Sequence, residues 1–191
     1  KIMKLPVILS LVVLLSACLG RQEAQAPTAT YDFSPVALST QGPLPRVEVQ
    51  LPAWLNTQAM QYRLAYRDPN QLHDYAYARW AGAPSALIQQ RLRLRLAGAL
   101  AAENCRLQVS LQEFVQTFAS TTQSAGDVRG ELRLLDAQRK VLATRAIALR
   151  QAAPSADARG GVAALADTVD QLAKEAASWV REDARLKSCR Q

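Results

Sequence analysis

The chain has 191 residues, with 23 lysines and arginines against 16 aspartates and glutamates, so its formal net charge is +7. This length is sufficient for one domain with a substantial core. The basic excess suits anionic lipid headgroups or acidic partners. The sequence has no long basic run, RNA-binding signature or helix-turn-helix pattern, so nucleic acid is not an expected partner.

Residues 1–17 have the pattern of a secretory signal peptide. Lys1 and Lys4 form a short positive region, and a mainly apolar run of eleven residues follows from Leu5 to Leu15. This run is too short for a membrane-spanning helix, which needs roughly 20 apolar residues. The sequence LSAC, which ends at Cys18, resembles the lipobox of bacterial lipoproteins. The resemblance implies cleavage before Cys18 and acylation of that residue; the alternative is an ordinary signal peptide with an incidental cysteine.

The residues after the lipobox cysteine indicate which membrane would hold the lipid anchor. Leu19 and Gly20 place no acidic residue at the second position of the mature chain, and in the usual enterobacterial pattern this implies sorting to the outer membrane. Two or more acyl chains make such an anchor stable, since each buried methylene is worth roughly 0.8 kcal/mol. Residues 18–30 are small, polar and proline-containing, so we predict a lipidated cysteine and a flexible tether. Residues 31–191 are then the folded domain.

Two cysteines remain once Cys18 is assigned to lipid. An even number of cysteines, Cys105 and Cys189, is then left. Because the signal peptide implies export to an oxidising compartment, we predict a disulfide between them. The alternative is a buried thiol at Cys105 and an incidental cysteine at the end of the chain. Neither residue lies in a C-x-x-C or other metal-binding spacing, so we predict no redox or zinc site.

The first half of the domain is predicted to consist of strands. Residues 30–35 are a short edge strand, and residues 45–52 alternate apolar and polar side chains as a half-buried strand does. Residues 59–67 and 72–80 form a predicted hairpin around the turn sequence DPNQ.

Residues 84–104 could be a strand or a helix. Arg91 and Arg95 belong to an arginine-leucine alternation that is typical of a strand. Ile88 and Leu92 have helical spacing, however, and the segment begins with proline and is rich in alanine and leucine. We therefore predict a helix.

Residues 105–118 are predicted to be a strand whose pattern changes midway. Leu107 and Val115 lie on one side, whereas Phe114 and Phe118 fall on the other, polar side. Either a β-bulge shifts the register, or the second half of the strand is apolar on both faces.

Residues 127–136 and 141–151 are two further predicted strands, and residues 162–180 have the spacing of an amphipathic helix. Strands, a helix, three strands and a helix indicate a single α+β domain. We expect a mainly antiparallel sheet with both helices packed on one face.

Catalytic and metal-binding patterns are almost absent. His73 is the only histidine and is expected on an exposed strand face. Asp167 and Asp170 lie one helical turn apart, and we interpret both as solvated carboxylates on the polar face of the last helix. The sequence contains none of the usual nucleophile, phosphate-loop or zinc motifs. We therefore predict no catalytic residue, metal or cofactor.

Aromatic and arginine side chains are the candidate interaction residues. In a hairpin such residues are first of all core and cross-strand packing, but aromatics and arginine also anchor protein interfaces. The candidates for a partner or ligand surface are Trp54, Tyr62, Tyr66, Tyr75, Tyr77, Arg79, Trp80, Phe114 and Phe118.

The junction between the hairpin and the first helix resembles the ABC-type transport auxiliary lipoproteins, a family that includes the paraquat-inducible protein C type. The resemblance extends from about residue 31 to residue 187. Its pattern YR…L…Y…RWA…P…L is found at Tyr66-Arg67, Leu72, Tyr75, Arg79-Trp80-Ala81, Pro84 and Leu87.

The resemblance implies a non-catalytic periplasmic domain, lipid-anchored at the outer membrane. Its expected partners are an MCE-domain (mammalian-cell-entry) protein and the permease and ATPase of an ABC system that moves phospholipid or other hydrophobic molecules between membranes. The alternative is a lipoprotein that binds lipid or assists outer-membrane assembly alone. The sequence leaves open the docking face and whether the domain forms a homo-oligomer.

Overall fold

The computed structural model describes residues 27–35, 42–100 and 104–190. The predicted signal peptide, Cys18 and most of the predicted tether lie outside the described residues, as do residues 101–103. In chain order the elements are β1 (Ala29–Tyr31), β2 (Arg46–Gln50), β3 (Ala59–Leu64), β4 (Leu72–Trp80), α1 (Pro84–Arg95), β5 (Cys105–Phe118), β6 (Ser124–Asp136), β7 (Val141–Ala152), α2 (Ala158–Glu182) and a 3-10 helix (Ala184–Cys189).

The strands form one seven-stranded sheet in the order β1-β4-β3-β5-β6-β7, with β2 also paired to β5. The pairs β3–β4, β5–β6 and β6–β7 are antiparallel, which includes the predicted hairpin. The pairs β1–β4, β2–β5 and β3–β5 are parallel, so the sheet is mixed. The prediction of a single α+β domain is confirmed, and the longest ladders are antiparallel.

Strand β5 is the central strand of the sheet and pairs with β2, β3 and β6. It is 14 residues long, which is enough for two parallel partners placed end to end. Its first half pairs with β2 from Arg106 to Ser110, and its last residues pair with β3 from Gln116 to Phe118. The whole of β5 pairs with β6 on its other edge.

A bulge in β5 changes the face of its side chains, as one of the two alternatives predicted. The register with β6 shifts between Leu111 and Glu113, and this places Phe114 in the core on the same side as Leu107. Val115 consequently lies on the opposite face. Every residue from Phe114 to Phe118 is buried, so both faces of this half are covered, but Gln116 and Thr117 are polar and the half is not apolar on both faces as the other alternative had it. Gly130 pairs with Leu111 at the bulge, and a Cβ there would lie 2.1 Å from the Ser110 carbonyl oxygen.

Both helices cover the same face of the sheet. Ile88 and Leu92 of α1 join Leu172 of α2 in one buried cluster with the strands. Helix α2 begins before the predicted residue 162, because the Asp157 side chain accepts a hydrogen bond from the Gly160 amide at 2.7 Å and caps the helix. Helix α1 ends at Arg95 rather than at residue 104.

The predicted disulfide is present. Cys105, at the start of β5, is bonded to Cys189 in the terminal 3-10 helix, with 5.4 Å between the two Cα atoms. Both cysteines are buried. The bond therefore fastens the end of the chain to the central strand across 84 residues.

Candidate functional site between the two helices

A polar cluster joins α1 to α2 through Arg91 and Asp170. Arg91 donates from Nε to Asp170 Oδ1 at 2.7 Å and from Nη2 to Asp170 Oδ2 at 2.9 Å. The Arg91 side chain is 9% exposed and that of Asp170 is 17% exposed, so this bidentate pair is largely shielded from water. Arg91 also donates to the Ser34 carbonyl at 3.1 Å, and its guanidinium lies 5.6 Å from the centre of the Phe33 ring.

Arg95, one turn further along α1, binds the same carboxylate. Its Nε donates to Asp170 Oδ1 at 2.8 Å and its Nη2 donates to Asp170 Oδ2 at 2.5 Å. Burial raises the pKa of Asp170, but hydrogen bonds from Arg95 and Arg91 outweigh it and hold the pKa below its usual value. The interpretation of Asp170 as a solvated carboxylate is wrong, whereas Asp167 is exposed. A carboxylate held ionised by two arginines is suited to fastening helices, not to exchanging protons.

A groove of about 440 Å³ opens beside this cluster. Its apolar lining consists of Ala173 and Ala177 of α2 and Ala99 in the turn after α1, and most of its polar lining is basic. The residues that line it are Arg95, Ala99, Asp170, Ala173, Lys174, Ala177 and Arg181. Arg95 and Asp170 were named from the sequence, but a contact between them was not predicted. None of the lining residues was predicted as part of a binding site. The signal was available in the spacing, since positions 170, 174, 177 and 181 share one face of a helix.

The aromatic candidates do not form one surface. Trp80, Phe114 and Phe118 are buried, which contradicts them as candidates for a partner or ligand surface; the burial of Trp80 agrees with the core packing that was expected first of the hairpin aromatics. Trp54 and Tyr77 are 52% and 56% exposed, and Tyr66 is also exposed. Sequence periodicity identified which side chains share a side of a strand, but it could not show that a bulge and the helices would cover three of these aromatics.

The arginine-tryptophan-alanine sequence at residues 79–81 lies at the end of β4 and contacts β1 and the residues that follow it. The Trp80 ring lies 5.7 Å from Phe33 and 5.8 Å from Phe114, measured between ring centres. Arg79 is exposed and donates to Thr30 Oγ1 at 3.3 Å, next to the backbone pairing of β1 with β4. This motif has a structural role in the described residues.

Tyr62 and Tyr75 pack inside the hairpin and beside β5. Tyr62 stacks on His73, with ring centres 5.2 Å apart, so this half-buried histidine is engaged in packing. Tyr75 donates from its hydroxyl to Gln116 Oε1 at 2.8 Å. Burial, together with Tyr62 and Asp157, raises the pKa of Tyr75 well above its usual value, so its phenol stays protonated.

Gln116 connects this hairpin to the start of α2. Its Nε2 donates to Ser124 Oγ at 2.8 Å and to the Asp157 carbonyl at 3.1 Å. Gly161 lies directly over this amide, where a Cβ would fall 1.9 Å from Gln116 Oε1. The network fixes the helix end against the sheet and satisfies a buried polar side chain.

In the part of the chain that the structure describes, no group of three or more histidine, cysteine, aspartate or glutamate residues is arranged to hold a metal ion. Within the same residues, no helix combines the length and the apolar character needed to cross a membrane.

Comparison with solved structures places the fold among known ones. A crystal structure of a Xanthomonas campestris protein of the DUF330 family superposes with a TM-score of 0.62 and 19% identity, covering 80% of this chain and 91% of that one. A crystal structure of an uncharacterized protein gives a TM-score of 0.65 and 18% identity, covering 81% and 99%. At these identities the similarity shows a shared fold.

No curated protein sequence matches the chain significantly. The family model for the ABC-type transport auxiliary lipoprotein component matches residues 34–177, from the segment after β1 to the last turns of α2. DUF330, to which the Xanthomonas campestris structure is assigned, is the same family. The chain therefore belongs to the family of ABC-type transport auxiliary lipoprotein components.

Proposed function

We propose that the chain is a lipid-anchored accessory subunit of an MCE-type ABC transport system, which moves phospholipid or other hydrophobic molecules between the two membranes. The observation that carries the proposal is the family match over residues 34–177. The lipobox ending at Cys18 supports an anchor in the outer membrane. The disulfide between Cys105 and Cys189 fits the oxidising periplasm. The subunit acts by docking and does no chemistry.

We propose that Trp54 and Tyr77, near the open end of the β3–β4 hairpin, are the docking residues. Both rings are more than half exposed. Trp54 belongs to the turn before β3, and the hydrogen bond from the Trp80 amide to the Gln58 carbonyl, at 2.8 Å, brings this turn to the end of β4 where Tyr77 lies. Exposed tryptophan and tyrosine are the residues that most often dominate the binding energy of an interface.

Affinity purification of the full chain from intact membranes, after mild crosslinking, is expected to recover an MCE-domain protein. The variant Trp54→Ala/Tyr77→Ala is expected to bind at least roughly thirtyfold more weakly and to recover correspondingly less, since truncating even one interface anchor commonly costs about 2 kcal/mol or more. Tyr66→Ala is the matched control, because Tyr66 is an exposed aromatic at the opposite end of the hairpin. Failure of the unsubstituted chain to recover MCE-domain protein would refute the docking role, and equal recovery by all variants would refute this surface.

A second candidate function is a lipid carrier that acts alone, and the groove between α1 and α2 is the observation that favours it. The second half of β5 does not support it, because the residues from Phe114 to Phe118 are buried within the protein. A carrier extracts labelled phospholipid from vesicles when no transporter is present, whereas a docking subunit leaves the lipid in the vesicle. Extraction by the purified full chain would decide for the carrier.

A further inference from the structure

We propose that the groove between α1 and α2 binds the phosphate-bearing headgroup of an anionic glycerophospholipid. The choice of a lipid as the source of the phosphate rests on the proposed function. The choice of phosphate rests on the side chains of the groove itself.

The groove has a surplus of positive charge. Arg95, Lys174 and Arg181 face it together with one carboxylate, Asp170, which leaves a local charge of +2. Asp170 is already engaged by Arg91 and Arg95 through four hydrogen bonds. Lys174 and Arg181 are exposed and form no ion pair with any described residue. Two cations are therefore available to an incoming anion.

Arg95 is oriented before any ligand arrives. Asp170 fixes the edge of its guanidinium that carries Nε and Nη2, while Nη1 makes no hydrogen bond within residues 27–35, 42–100 and 104–190. The Arg95 side chain is 41% exposed at the groove. A guanidinium that is already held in place loses less conformational entropy when it binds an oxyanion.

The size and the apolar lining of the groove fit a headgroup rather than whole acyl chains. Lys174 and Arg181 are two helical turns apart, about 10 Å along α2 at a rise of 1.5 Å per residue. The volume of about 440 Å³ lies within the ordinary range for small-ligand sites. Ala99, Ala173 and Ala177 provide the apolar part of the lining, which suits a glycerol backbone and the first methylenes. The excess positive charge favours an anionic headgroup over a zwitterionic one.

Native mass spectrometry of the full chain in dodecyl maltoside tests the proposal. Equal amounts of phosphatidylglycerol and phosphatidylcholine with the same acyl chains are added to the protein. We expect phosphatidylglycerol to be retained and Lys174→Ala/Arg181→Ala to reduce its retention about tenfold, since each charge-assisted hydrogen bond contributes strongly to phosphate binding. The control Arg93→Ala/Lys140→Ala removes the same amount of charge from exposed positions outside the groove and is expected to retain the lipid.

Equal retention of the two lipids by the unsubstituted chain, or equal loss in the two double variants, would overturn the proposal. An arm with inorganic phosphate in tenfold excess separates the two sources of phosphate. Continued retention of phosphatidylglycerol supports recognition of the headgroup, and complete displacement shows a site for free phosphate instead. The purified chain has no transporter present, so failure here leaves the docking experiment unaffected.

Discussion

Replacing Asp170 with asparagine tests most directly whether its hydrogen bonds to Arg91 and Arg95 hold the two helices together. We call this arrangement the clamp. The change removes the negative charge but keeps the shape of the side chain, and it leaves Arg91 with an uncompensated charge at 9% exposure. Removing one partner of a buried ion pair costs about 3 to 5 kcal/mol. The asparagine oxygen still accepts a hydrogen bond, which lowers our expectation for the Arg91 pair to about 2 kcal/mol. The more exposed Arg95 pair adds less than about 1 kcal/mol.

The expected total loss, about 2 to 3 kcal/mol in the free energy of unfolding, is measurable by urea denaturation followed by circular dichroism, with the disulfide intact. Asp167→Asn is the matched control, because Asp167 is an exposed carboxylate one turn earlier on the same helix, and we expect a change within about 0.5 kcal/mol. Equal effects of the two substitutions would refute the clamp. The double variant Arg91→Met/Asp170→Leu removes both charges, and its stability is expected to be near that of the parent.

Further expectations concern pH, the disulfide and a glycine. Because arginine hydrogen bonds outweigh burial and lower the pKa of Asp170, its stabilisation is complete above the ordinary pKa near 3.9 and disappears as pH falls through the lowered pKa. Acid titration of Asp170→Asn by circular dichroism should therefore lack this loss. Cys189→Ala is expected to lower the unfolding free energy by roughly 4 kcal/mol in the chain-entropy model; added reductant destabilises the parent and has no such effect on the variant. Gly130→Ala would place a Cβ against the Ser110 backbone, so calorimetry should show a loss above about 2 kcal/mol. Gly82→Ala, whose Cβ would meet nothing within 4 Å, is its control.

Local chemistry explains which features were predictable. The amphipathic spacing of α2 and the alternation in β2 depend on residues a few positions apart, and the structure contains both elements. The pairing of Cys105 with Cys189 was predictable from parity because the resemblance to a lipobox assigns the third cysteine, Cys18, to lipid. The bulge in β5 was one of two alternatives, since a strand cannot otherwise turn Leu107 and Phe114 to the same side.

Contacts between distant parts of the chain were not predictable in the same way. Arg91 and Asp170 are 79 residues apart, and the alternation of arginine with leucine around Arg91 gave no indication of a partner. The parallel pairings of β2 and β3 with β5 could not be predicted from a turn sequence, because parallel strands are joined through long crossovers and not through tight turns. Trp80 stayed a candidate for the surface because strand period alone does not show what covers each face.

Strand β1 is attached to the domain by more than its backbone pairing with β4. It has only three residues paired with β4, so backbone hydrogen bonds alone would make a weak attachment. Immediately after it, Phe33 lies against Trp80, and Arg91 holds the Ser34 carbonyl. Phe33 and Arg91 therefore reinforce the short β1–β4 pairing at the start of the described domain. Under the lipid anchor proposed at Cys18, a pull from the membrane side would be resisted at this junction by the contacts of Phe33 and Arg91 as well as by the β1–β4 pairing.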